Sequence, residues 1–174
     1  AFVRTEGSLI PSPSHSDFGL DLSLVAQKML DLQTTSVLFQ NHIYPKVGVM
    51  GHSMGGGASF LAASNNSNIQ ALIGLAPAET TPSAIAVAPN VLVPSMVFSG
   101  SSDGVTPPAQ NHIPMFDGIT SMCKSFVSIT GGGHCYFANA NFNCDFGEST
   151  SSTGISISRT QQQTTTFILL DPWL

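Results

Sequence analysis

At 174 residues the chain is long enough for one domain with a real core and too short for two ordinary ones. Charged residues make up only 9% against 42% apolar ones, with a net charge of -5, a balance that fits neither a disordered chain nor a nucleic-acid-binding one. The five Lys and Arg are scattered singly, which leaves no basic patch for nucleic acid or an anionic membrane, and no apolar run approaches the ~20 residues that span a bilayer.

Residues 1–5 read as a short strand and lack the pattern of a signal peptide. Residues 7–16 follow, where two prolines and four serines forbid regular structure. A helix is predicted over residues 17–33, with Leu22, Val25, Met29 and Leu32 at the three-and-four spacing of a buried stripe. A polar connection over residues 40–46 carries His42 and Pro45, and it leads into the apolar strand Val47-Gly48-Val49-Met50. That strand enters Gly51-His52-Ser53-Met54-Gly55-Gly56-Gly57, and small residues continue beyond it. A β-branched run entering Gly-x-Ser-x-Gly, with a helix to follow, is the pattern of a nucleophile elbow, a strained turn that exposes the serine. The turn is expected to admit nothing larger than glycine at positions 51 and 55.

The helix behind the elbow is predicted over residues 54–64, ended by Asn65-Asn66-Ser67-Asn68, and a buried strand over residues 69–75. Residues 79–90 read as a loop punctuated by Pro82 and Pro89, and residues 91–99 as a strand interrupted by Pro94. A helix after Pro108 reaches about residue 119 with Ile113, Met115, Phe116 and Ile119 inward, and residues 125–129 form a fourth strand. Residues 131–154 read as loop and residues 157–170 as a closing helix. This alternation predicts a single α/β domain over residues 1–174, with a mostly parallel sheet flanked by helices.

In such sheets reactive groups gather where strands end at the carboxyl edge. A serine hydroxyl needs a base to take its proton, and the base needs an acid to orient it; on this fold the chain order is serine, acid, histidine. His15 and His42 precede Ser53 and are excluded by that order. His52 adjoins the serine and is expected to pack beside the site, and His112 falls on a predicted helix as a surface or interface residue. His134 follows a strand through Thr130-Gly131-Gly132-Gly133, which makes it the candidate base. Asp103 stands just after the strand ending at Ser99 and is the candidate acid, with Glu79 as its rival. Asp117 lies in a helix and Asp145 comes after the base. A plain turn-forming role for Asp103 in Ser-Ser-Asp-Gly is the alternative. Ser53, Asp103 and His134 together imply acyl transfer to water, with the Met54 N–H as one oxyanion donor.

Of the three cysteines, Cys123, Cys135 and Cys144, at least one is unpaired within the chain. Buried thiols and a Cys135 to Cys144 disulfide both remain open. No pairing of Cys and His has zinc spacing, so no metal is expected.

The motifs VGVMGHSMGGG at residues 47–57, SGSSDGVTP at 99–107 and ITGGGHC at 129–135 resemble the bacterial polyesterases of the α/β-hydrolase superfamily, the cutinase-like and PET hydrolase group. By that resemblance Ser53, Asp103 and His134 match the family triad and Met54 an oxyanion donor. It implies a secreted bacterial, cofactor-free carboxylic ester hydrolase acting on acyl esters or on polyesters such as PET. A serine peptidase or acyltransferase on the same fold is the alternative, as is a non-catalytic truncated remnant.

The chain also departs from the group. Ala78 stands where many members carry a cleft Trp, the acid loop at residues 100–104 has no Cys, and residues 137–153 have no clear counterpart. In the family's terms residues 1–5 would be the fourth strand, so an N-terminal truncation is expected, with a gap in the sheet and exposed edges that favour a homo-oligomer.

Overall fold

A computed structural model describes residues 13–40 and 42–174. The strand expected over residues 1–5 lies outside them. Four strands form one sheet in the order β1-β2-β3-β4: β1 Val47–His52, β2 Ile69–Leu75, β3 Ser95–Gly100 and β4 Lys124–Ile129. Every neighbouring pair is parallel, as the alternation of strands and helices predicts.

Register brings the strand ends level. His52 pairs with Leu75, Leu75 with Phe98, and Gly100 with Ile129. Ser53, Ala76, Ser101 and Thr130 therefore leave the sheet along one carboxyl edge, which is where the predicted site residues follow.

Helices cover both faces, so the inner strands are apolar on both sides. Alternate residues of β2 and β3 point in opposite directions: Leu72 and Val97 join a core with Phe60, Ala84 and Met115, whereas Ile73, Met96 and Phe98 join a second core with Ile129 and Leu170. The first core carries α1 His15–Thr35, α2 Met54–Asn65, α3 Ala84–Val87 and α4 His112–Gly118; the second is closed by α6 Arg159–Leu170. A further helix, α5 Phe142–Ser151, sits between β4 and α6 in the chain. Among the described residues no helix is long and apolar enough to cross a membrane.

The differences from the sequence reading have local causes. The Ser83 side chain accepts from the Ala86 N–H and starts α3 inside the stretch expected to be loop. Asn141 caps α5 in the same way, through the N–H groups of Asn143 and Cys144. Strand β3 starts at Ser95 rather than residue 91, because Pro94 has no N–H for the ladder. Helix α4 starts late, at His112, because the Pro107 and Pro108 carbonyls first close turns with Gln110, Asn111 and Ile113. Of the residues expected inward, Met115 and the following Ile119 are buried, Phe116 packs alongside them and Ile113 is exposed. The α1 stripe is only half-buried: Leu22, Val25 and Met29 line a cavity of about 100 Å³ against Val47, Val49 and Met50.

Candidate active site

The elbow is sharp because Ser53 adopts φ 57° and ψ -123°, a region that L-residues rarely enter. Four backbone bonds hold it there, one of them from the Gly57 N–H to the Ser53 carbonyl at 3.2 Å. The Ser53 N–H donates to the Leu75 carbonyl at 3.1 Å, and its own carbonyl accepts from Gly56 at 2.9 Å and Ala78 at 2.8 Å. A Cβ at position 51 would lie 2.0 Å from the Gly55 carbonyl oxygen, so glycine is required there. Position 55 differs from expectation: a Cβ there would meet only the Phe18 ring, at 3.5 Å, an ordinary contact. The close approach falls instead at Gly56, 2.8 Å from Pro77, and at Gly57, 2.2 Å from the Ala78 carbonyl oxygen. Ser53 is partly exposed. Met54 opens α2, so its N–H lies in the first turn, where no intrahelical acceptor exists.

Asp103 and His134 meet across the ends of β3 and β4. His134 Nδ1 lies 2.8 Å from Asp103 Oδ2, and both side chains are buried. The other carboxylate oxygen accepts from the Val105 N–H at 2.9 Å and the Thr106 N–H at 2.7 Å. Asp103 thus shapes its own turn and faces the histidine at once. Burial alone would raise its carboxyl, but the bond and charge of His134, the Thr106 N–H and nearby His112 outweigh that and hold it below its ordinary range. With its Nδ1 proton donated to Asp103, His134 keeps a lone pair on Nε2.

Two further groups complete this cluster. Thr106 Oγ1 lies 2.9 Å from Asp103 Oδ2, 2.8 Å from His134 Nδ1 and 3.0 Å from His112 Nε2. His112 Nδ1 lies 2.8 Å from Ser99 Oγ. One arrangement satisfies every group: Ser99 donates to His112, His112 Nε2–H to Thr106, and both Thr106 and His134 donate to Asp103. The expectation that His112 lies at the surface is wrong, since it is fully buried. The signal was in the sequence: His112, Met115 and Ile119 share the buried side of the α4 region. Burial pushes the His112 pKa down to about 4, against the pull of Asp103 upwards, so the ring is neutral at pH 7.

His52 packs beside the site as expected. Its ring centroid is 4.7 Å from that of His134, and its Nε2 lies 3.0 Å from the His134 carbonyl oxygen. Burial, reinforced by His134, lowers its pKa to about 4. Through His52 the serine's own strand reaches the histidine loop. Among the described residues no hydrogen bond joins Ser53 Oγ to His134, a contact that commonly tightens only with substrate bound.

The rival carboxylates are engaged elsewhere. Glu79 Oε2 accepts from the Ile85 N–H at 3.0 Å, and Asp145 pairs with Arg159 at 2.5 Å. His15 Nδ1 lies 3.3 Å from the Thr81 N–H, away from the cluster. Cys135 and Cys144 form a disulfide and Cys123 is an exposed free thiol. Among the described residues no group of three or more His, Cys, Asp or Glu is placed to hold a metal ion.

The family model described as PET hydrolase-like matches residues 14–157. Bis(hydroxyethyl) terephthalate hydrolase of Streptomyces coelicolor is 32% identical over 90 residues, which are 51% of this chain and 28% of that protein. Cutinase 1 of Thermobifida cellulosilytica and a cutinase of Thermobifida fusca are each 29% identical over 90 residues, again 51% of this chain, and 33% and 29% of their own lengths.

Proposed function

Since the chain belongs to the PET hydrolase-like family of α/β-hydrolases, we propose that it hydrolyses carboxylic esters through an acyl-enzyme on Ser53. His134 serves as the base, Asp103 as its orienting acid, and the Met54 N–H as an oxyanion donor. The observation that carries this reading is the buried 2.8 Å contact between Asp103 and His134 at the sheet edge from which the Ser53 turn projects.

The steps follow from that placement. His134 Nε2 takes the Ser53 hydroxyl proton as Oγ bonds to the ester carbonyl carbon, whose oxygen becomes the oxyanion. The intermediate collapses by breaking the bond to the alkoxy oxygen, which leaves as the alcohol with the proton from His134. Water then repeats the sequence on the acyl-enzyme, releases the carboxylic acid and restores Ser53. Asp103, held low by His134, the Thr106 N–H and His112, stabilises the imidazolium that forms in each half.

The relatives' names point to aromatic diesters and cutin as substrates of those proteins. For this chain, the small side chain of Ala78 favours short acyl esters over aromatic polyesters, because Ala78 is bonded by its N–H to the Ser53 carbonyl and brings no ring to that position. The Cys135–Cys144 disulfide supports an oxidising, extracellular setting. Hydrolysis of p-nitrophenyl butyrate and of bis(hydroxyethyl) terephthalate tests the proposal. The butyrate ester is expected to be the better substrate, and Ser53→Ala to lose about 1000-fold or more in kcat. Turnover that persists in Ser53→Ala contradicts the mechanism, and faster turnover of a peptide than of either ester favours a peptidase.

A further inference from the structure

Helix α5 fits no element predicted from the sequence, yet its end reaches both halves of the site. Glu148 is 4% exposed and forms no ion pair among the described residues. A buried carboxyl is costly unless its oxygens are satisfied, and the partners here are specific. Its Oε2 accepts the N–H of Cys135, the residue after His134, at 2.5 Å. Its Oε1 accepts the hydroxyl proton of Ser152. Ser152 Oγ in turn accepts the N–H of Gly104, the residue after Asp103, at 2.8 Å.

One carboxyl and one hydroxyl thus connect the backbone just beyond the acid to the backbone just beyond the base. The approach is close on both sides. A Cβ on Gly104 would lie 2.0 Å from the Ser151 carbonyl oxygen, and one on Gly133 would lie 2.8 Å from Glu148 Oε2. The helix is itself anchored to the base loop by Cys135–Cys144. The Asp145–Arg159 pair also ties it to α6. The acid and base loops also touch directly, through the Ser102 N–H and the Gly132 carbonyl at 2.9 Å, but that bond precedes both functional residues. The Glu148–Ser152 link closes the other side.

We propose that Glu148 and Ser152 are positioning residues that clasp the acid and base loops together and so keep Asp103 and His134 in register. The proposal rests on the catalytic reading of Ser53, Asp103 and His134. Its physical basis is that a misplacement of ~1 Å in such a pair costs about 100-fold in rate, and that connecting loops are the more mobile parts of a fold.

The test compares Ser152→Ala, Glu148→Ala and Glu148→Gln in the full chain, with p-nitrophenyl butyrate kinetics, melting by circular dichroism, and amide hydrogen exchange at Gly104 and Cys135. Ser152→Ala and Glu148→Ala are expected to lower kcat about 10- to 100-fold with KM within about threefold, as loss of alignment requires. Exchange at Gly104 rises in both variants, and at Cys135 in Glu148→Ala. Glu148→Gln keeps one oxygen for the Cys135 N–H and offers an amide to Ser152 Oγ, so it restores kcat to within about threefold of wild type.

Folded Ser152→Ala and Glu148→Ala proteins with wild-type kcat overturn the proposal, as does a Glu148→Gln variant as slow as Glu148→Ala. A kcat loss without faster exchange at Gly104 overturns it too. A wild type devoid of esterase activity refutes the catalytic reading instead, and the exchange data then decide the clasp: unchanged protection at both amides in Glu148→Ala overturns it.

Discussion

The buried, neutral His112 makes stability depend on pH in a way that one substitution should isolate. In the folded chain its pKa lies at about 4, whereas in the unfolded chain it returns to about 6.5. Between these values the unfolded state binds the extra proton, so the stability due to a neutral His112 is complete above about pH 6.5 and is lost as pH falls toward 4. A displacement of that size corresponds to about 3 kcal/mol across the window, approaching a slope of about 1.4 kcal/mol per pH unit. His52, with a pKa also near 4, adds a similar slope in the same direction. Replacing His112 by Gln removes one titrating group while leaving an amide for the hydrogen bonds to Ser99 and Thr106. Urea unfolding from pH 7.5 to pH 4.5 should show wild type losing about 2–3 kcal/mol more than His112→Gln over that range. Equal losses in the two proteins would refute the reasoning, because they would mean that His112 does not take up a proton on unfolding.

Asp103→Asn is expected to lower kcat by about 10⁴-fold with little change in melting temperature. The Val105 and Thr106 N–H groups fix the amide oxygen on their side, which turns the NH₂ toward His134 and forces the wrong tautomer; near-normal steady-state turnover would contradict this. Gly57→Ala puts a methyl 2.2 Å from the Ala78 carbonyl oxygen and should cost about 1–3 kcal/mol, whereas Gly147→Ala, in a helix with nothing within 4 Å, should gain up to about 1 kcal/mol. Thermal melting of the pair in the opposite order would show the packing argument to be wrong. Cys144→Ser opens a loop closed over 9 residues and should lower stability by about 2–3 kcal/mol; reducing agent should do the same to wild type and nothing to the variant.

Much of this arrangement was readable because the sheet is built from short apolar runs with clear stops. Strand β2 has its predicted bounds, and the order of Ser53, Asp103 and His134 along the chain already placed each after its own strand. What escaped was polar interior. Helix α5 shows no apolar stripe because its one buried side chain is Glu148, while Phe142 and Phe146 face outward; capping and a disulfide hold it rather than a hydrophobic face. Helix α3 has four residues, too few to display a period. His112 was misplaced because a polar residue on a helix is read as exposed, although its spacing from Met115 and Ile119 put it on the apolar side. The α1 stripe was found but its burial was overestimated, since β1, its strand partner, has only one neighbour among the described strands.

The central claim is that Ser53 is a nucleophile activated by His134. Labelling the folded protein with a fluorophosphonate probe, with peptide mass mapping of the adduct, tests it directly. The account predicts one adduct, on Ser53, whose rate of formation falls by about 1000-fold or more in His134→Ala. Folded protein that carries no adduct on Ser53, or a His134→Ala variant that labels as fast as wild type, would contradict it.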